Sequence, residues 1–263
     1  MEAKKEEFIV TQEWLEEMKA CEDGLRAFKK HFPNGGEALE VLKRCGELNY
    51  SGFSRWLVNH LPPTYPPLEF NTFVGNLFYP GDVHIKGDLS IQELIYIKGS
   101  LKVDGKLTFN KYGVARSGKG CVNADEIDLS GYAQIYSDTK ANSIIMSDYT
   151  VINGDTVANS ISLRDFVEIR GNTKAKVVNL DGGRIYGNVD ADEIINDDGI
   201  IRGNVKTIRI ENIKGGYING NVDTDEIINE GEIEGDVNTI KIKSINGGMV
   251  YGKITYKRSD EHK

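Results

Sequence analysis

A unit of 15–17 residues repeats from residue 124 to about residue 255, and this period restricts the fold more than any other feature of the sequence. A small residue opens each unit: Ala124, Ala141, Ala158, Ala175, Ala191, Thr207, Thr224 and Thr239. A glycine follows a short apolar run at the same spacing: Gly154, Gly171, Gly187, Gly203, Gly220, Gly235 and Gly252. Self-similarity at such a short fixed period is typical of the stacked turns of a solenoid.

The repeat is too short for helices and alternates like a strand. A unit of two helices and a turn needs about 30 residues or more. Segments such as Ser160–Leu163 instead alternate polar and apolar residues, which places the apolar side chains on one face of a strand. Because each turn covers the apolar face of the next, we predict a mainly β protein, a single-stranded β-helix (β-solenoid) with 15–17 residues per turn.

An asparagine or aspartate follows most of these glycines directly: Asn172, Asn188, Asn204, Asn221 and Asp236. We predict a stacked ladder, in which each side-chain amide bonds its neighbour in the next turn. The Gly-Asn pair also suits the sharp corner between two strands. The alternative is a stripe of side chains that binds a ligand.

Residues 8–61 follow a different, helical pattern. Thr11 is a suitable N-cap for the first helix, which carries Trp14, and apolar residues at three- and four-residue spacing predict three more short helices. The last of these helices carries Trp56. We predict a small all-α domain over residues 1–62. Its aromatic residues form a core in one interpretation and line a groove for a partner helix in the other.

Four of the six prolines stand between residues 62 and 67, where they end helices and favour an extended chain. A PxxP ligand for another protein is the alternative interpretation of this segment. The predicted organisation places a Pro-rich linker over 63–75, the β-solenoid over 76–257 and a charged tail over 258–263.

Composition narrows the class of function. A net charge of −8 argues against direct binding to nucleic acid, because phosphate contacts need a basic face. Three cysteines are too few and too scattered for a disulfide framework or a zinc site. The sequence shows neither a signal-peptide pattern nor an apolar run of membrane-spanning length. We therefore predict a cytoplasmic protein that does not associate with membranes.

Acidic residues are concentrated in the repeats. Residues 124–238 hold 10 Lys and Arg against 22 Asp and Glu, a local net charge of −12. An Asp-Glu pair recurs at one place in the repeat: Asp125, Glu126, Asp192, Glu193, Asp225 and Glu226. We predict that stacking brings these groups into columns, in which like charges repel. The predicted site is an acidic wall for a basic protein surface, with Trp14 and Trp56 as further contacts. The alternative is a solvated face that blocks lateral strand pairing.

No arrangement of catalytic or metal-binding residues stands out. Residues 113–119 have the pattern GxxxxGK of a phosphate-binding loop, but Gly120 stands where Ser or Thr is needed, and repeats follow instead of a helix. The four histidines lack metal-ligand spacing. Carboxylates recur on the repeats, as they do in pectin-degrading β-helix enzymes, but no pair is singled out. We predict a protein that is not an enzyme and that has no cofactor and no metal.

The helical segment and the repeats resemble proteins of phages and prophages. The resemblance rests on the segments Thr11–Leu15 and Trp56–Leu57, and on Gly-Asn-Val repeats such as Gly187–Ala191 and Gly220–Thr224. It implies this architecture and a phage or mobile-element origin, and it brings no catalytic residues. The repeats are also similar to bactofilins, cytoskeletal polymers with a right-handed β-helix. The helical domain departs from bactofilins and would block one end of the rod.

These patterns together predict a non-enzymatic binding protein in the host cytoplasm. It would use the acidic solenoid face, the helical domain, or both to bind a host protein. The acidic repeats and the phage resemblance together imply a task, which is to inhibit a nuclease or a defence complex by occupying the nucleic-acid groove of that partner. The alternative is a self-assembling, bactofilin-like scaffold. A homodimer through the helical domain is also expected, since symmetric dimers are the commonest oligomers.

Overall fold

The computed structural model describes residues 8–62, 65–73, 75–91 and 93–258, with the backbone alone at position 119. It confirms the predicted fold class, with a small helical region followed by a parallel β-solenoid of about 11 turns. No helix in these ranges is long and apolar enough to cross a membrane. Residues 259–263 of the predicted tail lie outside the described residues.

The described part of the N-terminal domain consists of a short ribbon and four helices: β1 (Ile9–Val10), α1 (Gln12–Glu17), α2 (Glu22–His31), β2 (Gly36–Glu37), α3 (Ala38–Glu47) and α4 (Ser51–His60). Thr11 caps α1 as predicted, because its hydroxyl accepts a hydrogen bond from the backbone N–H of Trp14 at 3.2 Å. Helix α1 packs on α2, whereas α3 packs on α4. The domain is therefore built from two helix pairs.

The described solenoid contains 28 strands in one sheet. The first fourteen are β3 (Leu68–Phe70), β4 (Leu77–Tyr79), β5 (Val83–Ile85), β6 (Leu89–Ile91), β7 (Leu94–Ile97), β8 (Leu101–Val103), β9 (Lys106–Phe109), β10 (Val114–Asn123), β11 (Glu126–Leu129), β12 (Gln134–Lys140), β13 (Ser143–Met146), β14 (Val151–Ile152), β15 (Thr156–Val157) and β16 (Ser160–Arg164). The others are β17 (Glu168–Ile169), β18 (Thr173–Asp181), β19 (Arg184–Tyr186), β20 (Val189–Asp197), β21 (Ile200–Arg202), β22 (Val205–Ile213), β23 (Tyr217–Asn219), β24 (Val222–Asp223), β25 (Glu226–Asn229), β26 (Glu232–Ile233), β27 (Val237–Thr239), β28 (Lys241–Ser244), β29 (Met249–Val250) and β30 (Ile254–Tyr256).

The boundary of the solenoid differs from the prediction. Strand β3 pairs in parallel with β5, with Leu68 opposite Val83. The solenoid therefore begins at Leu68, inside the segment 63–75 for which the sequence predicted a linker. Helix α4 ends at His60, and the chain needs only a few residues before its first strand can pair.

Three columns of parallel strands define three faces of the rod. Face A consists of β6, β9, β11, β13, β16, the second halves of β18, β20 and β22, and then β25 and β28. Face B consists of β4, β7, the first parts of β10 and β12, and then β14, β17, β19, β21, β23, β26 and β29. Face C consists of the intervening strands, from β3, β5 and β8 to β24, β27 and β30.

Apolar side chains point inward on every face and stack into continuous columns. On face A, one such column is completely buried: Ile127, Ile144, Ile161, Val178, Ile194, Ile210 and Ile227. Burying one such side chain contributes about 1.5–3 kcal/mol. The alternation that predicted strands is thus the alternation between the interior of the rod and its surface.

The predicted ladder of asparagines forms, but with different hydrogen bonds. The backbone N–H of Asn188 donates to Oδ1 of Asn172 at 3.1 Å, and that of Asn204 donates to Oδ1 of Asn188 at 2.9 Å. The pattern continues through Asn221 and Asp236. The prediction of amide-to-amide bonds between these side chains is therefore wrong. At a corner the backbone N–H needs an acceptor, and the side-chain oxygen of the preceding turn supplies it.

A second, unpredicted asparagine ladder lies inside face A. Asn196, Asn212 and Asn229 are completely buried. Nδ2 of Asn196 donates to Oδ1 of Asn212 at 2.7 Å, and Nδ2 of Asn212 donates to Oδ1 of Asn229 at 2.8 Å. These residues continue the inward column of Met146, Leu163 and Leu180, so the interior changes from apolar to amide at this point.

Candidate binding surfaces

The predicted acidic wall does not form as columns of like charge. On face A the column that holds the three glutamates runs Lys106, Glu126, Ser143, Ser160, Val177, Glu193, Arg209, Glu226 and Lys241. Neutral or basic residues therefore separate every pair of glutamates. The prediction of adjacent acidic groups is wrong, because the Asp-Glu pair does not recur in consecutive turns.

Basic or amide partners also hold several of these acidic groups. Nζ of Lys241 lies 2.8 Å from Oε1 of Glu226, and this hydrogen bond holds the pKa of the Glu226 carboxyl below its ordinary value. Nζ of Lys106 lies 2.7 Å from Oε1 of Glu126. Nζ of Lys257 lies 3.2 Å from Oδ1 of Asp225.

The two remaining aspartates of the predicted site are exposed, and neither extends a column of like charge. Asp125 accepts a hydrogen bond from Nδ2 of Asn142 at 3.4 Å. Between β20 and β22, Ala191 pairs with Thr207 and Glu193 pairs with Arg209. Asp192 lies between these two pairs. The six acidic residues therefore do not form a continuous column.

Arginine and tyrosine residues instead collect on face B. Over six consecutive turns, from β10 to β21, the outward positions of this face include four arginines, two tyrosines and one glutamate, and the remaining outward positions are uncharged. The arginines, tyrosines and glutamate are Arg116, Tyr136, Glu168, Arg170, Arg184, Tyr186 and Arg202. The net charge of these residues is positive, whereas the net charge of the whole chain is −8.

Two of these arginines lie over aromatic rings. The guanidinium carbon of Arg116 is 4.3 Å from the ring centroid of Tyr136, and that of Arg202 is 5.4 Å from the ring centroid of Tyr186. Both distances fall within the range of cation–π attraction. Among the described side chains, neither Arg116 nor Arg202 forms a salt bridge. Their charges are therefore positioned by rings and are not neutralised by carboxylates.

An aromatic stack borders face B at its corner with face A. Its members are Tyr112, Tyr132, Tyr149 and Phe166, whose ring centroids are 5.3–5.4 Å apart and whose planes differ by 6–12°. Between 51% and 69% of each residue is exposed. In a core such rings would be buried, so this exposed stack is a candidate contact surface.

The local backbone explains where the aromatic stack begins and ends. The residue before each ring has a positive φ, from 56° at Lys111 to 75° at Gly131, and this left-handed residue turns the chain from face A to face B. After Phe166 the turn shortens to 16 residues, since Glu168 pairs with Arg184, and Gly182 and Gly183 occupy the corner. The shorter turn has no position for a fifth ring.

The helical domain packs on the first two turns of face B. Phe78 and Tyr96, which precede Arg116 in the outward column, are buried in the core of the helical domain. The hydroxyl of Tyr96 donates to Oδ1 of Asn59 at 3.1 Å, and Nζ of Lys98 donates to the carbonyl oxygen of Leu61 at 2.9 Å. The domain thus lies against the side of the rod at its beginning, and face B already binds helices of its own chain.

A cleft remains where the helical domain ends on face B. It has a volume of about 550 Å³ and lies between Asn49, Ser51 and Arg55 on the helical side and Tyr112, Arg116 and Tyr136 on the solenoid side. Clefts between domains are common positions for binding sites. This interdomain cleft is continuous with the aromatic stack through Tyr112 and with the arginines of face B through Arg116.

The two predicted tryptophan contacts lie in the helical domain. Their rings meet edge to face with centroids 6.1 Å apart, and both residues are half-buried. Trp14 also packs edge to face on Phe8 at 5.1 Å. Trp56 lines an apolar cavity of the domain. The tryptophans thus contribute to the helical core, and the six acidic residues lie separately, on the solenoid.

Comparison with known proteins finds a similarity for the first part of the chain. Residues 1–61 match the family model of the YdhT N-terminal domain. This match covers the helical domain and ends before the first solenoid strand. No curated protein and no solved structure matches the chain. Within residues 8–62, 65–73, 75–91 and 93–258, no group of three His, Cys, Asp or Glu side chains is placed to hold a metal ion.

Proposed function

We propose that the protein is a non-enzymatic binding protein and that face B, from the interdomain cleft to Arg202, is its surface for an acidic protein partner. The observation that carries this proposal is the concentration of arginine and tyrosine on face B of an acidic chain. Tyrosine and arginine are enriched among the residues that dominate the energy of protein–protein interfaces. Complementary charge also accelerates the encounter of two proteins.

The geometry of face B favours binding with little loss of conformational freedom. The rings of Tyr136 and Tyr186 lie next to the guanidinium groups of Arg116 and Arg202, and the rings of the aromatic stack hold one another. Side chains that are already ordered lose less entropy when a partner binds. The packing of α3 and α4 on Phe78 and Tyr96 supports a partner that presents a helix to the same face.

The proposed origin is a phage or a mobile element, because the helical segment and the repeats resemble proteins of phages and prophages. The proposed consequence of binding is inhibition of a host protein by coverage of its acidic surface. The earlier expectation, an acidic wall that occupies the basic groove of a nuclease, would use faces A and C. On face A, Arg209 separates Glu193 from Glu226. On face C, acidic residues alternate with lysines in the column of Lys174, Asp190, Lys206 and Asp223.

Site-specific photo-crosslinking tests the proposal in cells of the host. A photoreactive phenylalanine derivative replaces Tyr149 in the aromatic stack or, as the matched control, Val157, which is 40% exposed on face C. We expect a single adduct with an acidic protein from position 149 and none from position 157. Equal adducts from both positions, or an adduct with nucleic acid at position 149, would contradict the proposal.

Self-assembly is the second candidate function, and one observation favours it. In the last described layer of the solenoid, 38% of Ile254 is exposed, whereas its register partner Val237 is 1% exposed. Met249 and Tyr256 of the same layer are exposed as well. A bactofilin-like scaffold would cover this layer with a second copy. Light scattering over a hundredfold range of concentration would reveal such growth, whereas a constant mass would exclude it.

A further inference from the structure

An apolar cavity of about 390 Å³ lies between the two helix pairs of the N-terminal domain. Leu15, Phe28, Phe53, Trp56 and Leu57 are among its lining residues. Every lining residue lies within the range 1–61 that matches the YdhT N-terminal domain. The cavity therefore belongs to this domain and is separate from face B.

The size of this cavity distinguishes it from ordinary packing defects. Protein cores pack as densely as organic crystals and have few voids larger than a water molecule. An engineered apolar cavity of about 150 Å³ already takes up benzene. Small-molecule sites occupy about 300–1,000 Å³, and the cavity between the helix pairs falls in that range.

The ionisable Lys, Arg and His side chains at the cavity are all basic. Lys19, His31 and Arg44 line it, and no aspartate or glutamate does. Lys19 is exposed and forms no salt bridge with a described residue, whereas Nη1 of Arg44 lies 2.9 Å from Oε2 of Glu47. Lys19 would therefore bind an anionic head group more readily than Arg44, whose charge is partly neutralised by Glu47.

The thiol of Cys45 adds no charge to the cavity wall. Burial raises its pKa to about 11, so the thiol stays protonated at neutral pH. A protonated thiol behaves as a small apolar group. The cavity thus combines an apolar interior with a positive edge.

We propose that this cavity binds the alkyl chain of a free, single-chain anionic amphiphile, a fatty acid carboxylate, with its head group at Lys19. The apolar walls would bury the chain, and the carboxylate would form a charge-assisted hydrogen bond with the lysine ammonium. Apolar side chains of a partner helix are the competing occupant; they would fill the apolar interior but would leave the basic residues at its edge without a counter-charge.

Titration calorimetry of the full chain with three ligands of equal chain length tests this proposal. The ligands are decanoate, decanol and decylamine, each below its micelle concentration. The fluorescence of the Trp14 and Trp56 pair provides a second readout, because Trp56 lines the cavity. We expect decanoate to bind at least about tenfold more tightly than decanol, and decylamine to bind most weakly. Equal affinity for all three ligands would contradict the proposed preference for an anionic head group. Absence of binding by all three would contradict the proposed binding site.

Variants locate the binding in the cavity. Lys19→Gln should weaken decanoate binding by about tenfold, whereas Lys29→Gln, the same change at an exposed lysine of α2 that does not line the cavity, should leave it unchanged. Ala27→Leu should fill the cavity and reduce binding of both decanoate and decanol. Circular dichroism verifies the fold of each variant. Equal effects of the two lysine variants, or binding only to vesicles that contain anionic lipid, would overturn the proposal.

Discussion

Nδ2 of Asn196 donates a hydrogen bond to Oδ1 of Asn212 at 2.7 Å, and both side chains are completely buried inside the solenoid. Asn212 in turn donates to Asn229 at 2.8 Å. Asn212→Ala would leave a donor and an acceptor unpaired in the interior, each at a cost of about 1–3 kcal/mol. We expect urea denaturation to show a loss of about 2–5 kcal/mol in the free energy of unfolding. The matched control is Asn238→Ala, an exposed position on face C, which should stay within about 0.5 kcal/mol of the wild type. Equal losses would contradict the role of the buried ladder.

The glycine column at the corner between faces B and C tolerates no side chain. A Cβ atom at Gly203 would stand 2.2 Å from the carbonyl oxygen of Gly187, a backbone atom that cannot turn away. Gly203→Ala should therefore lower the free energy of unfolding by about 1–3 kcal/mol or more. Gly52→Ala is the control, because a Cβ there meets no atom within 4 Å and alanine favours the helix by about 1 kcal/mol. Thermal unfolding that lowers the Tm for both variants alike would contradict this account.

Stability should depend on pH through Glu226. The hydrogen bond from Lys241 lowers the pKa of this carboxyl below 4.5, so the pair stabilises the fold above that pH and stops doing so as the pH falls through the lowered pKa. The Tm of the wild type should exceed that of Glu226→Gln slightly at pH 7, and the difference should disappear toward pH 3, since exposed pairs contribute little. Lys241→Gln should abolish the same difference. A gap that persists at pH 3 would contradict the ion pair.

Cys45 should react slowly with a thiol reagent in the folded protein. Its pKa of about 11 leaves about one thiolate in a thousand at pH 8. Ellman's reagent would be applied to a variant that retains Cys45 alone and to one that retains the exposed Cys21 alone. We expect Cys45 to react at least about a hundredfold more slowly, and to match Cys21 in denaturant. Equal rates in the folded state would contradict the raised pKa of the Cys45 thiol.

Much of the solenoid could be predicted because its cause is local. Alternation at Ser160–Leu163 decides which side chains point inward, and the recurring glycines mark corners where backbone atoms approach closely. The sequence does not predict the start at Leu68, because three residues, Leu68–Phe70, are too few to show alternation. That strand is defined by its pairing with β5, which is a tertiary interaction.

The candidate site is harder to predict, because the sequence shows the order of charges along the chain, whereas the site depends on their order across the turns. The sequence shows Glu193 and Glu226 at equivalent places, but only the register shows Arg209 between them. One signal was available for the aromatic stack, since Tyr132, Tyr149 and Phe166 recur at the 17-residue step. The cavity of the helical domain depends on how two helix pairs meet, and short helices carry no sequence signal for that angle.

Matched charge reversal on two faces tests the central proposal most directly. Arg116→Glu with Arg202→Glu changes face B, and Lys140→Glu with Lys206→Glu makes the same change in net charge on face C. Each full-length variant, with its fold verified by Tm, would be titrated against the acidic partner identified by crosslinking at position 149. We predict that the face B variant loses at least about a hundredfold in affinity, because two interface arginines are reversed in charge. The face C variant should stay within about threefold of the wild type. Equal losses in both variants, or none in either, would contradict face B as the binding surface.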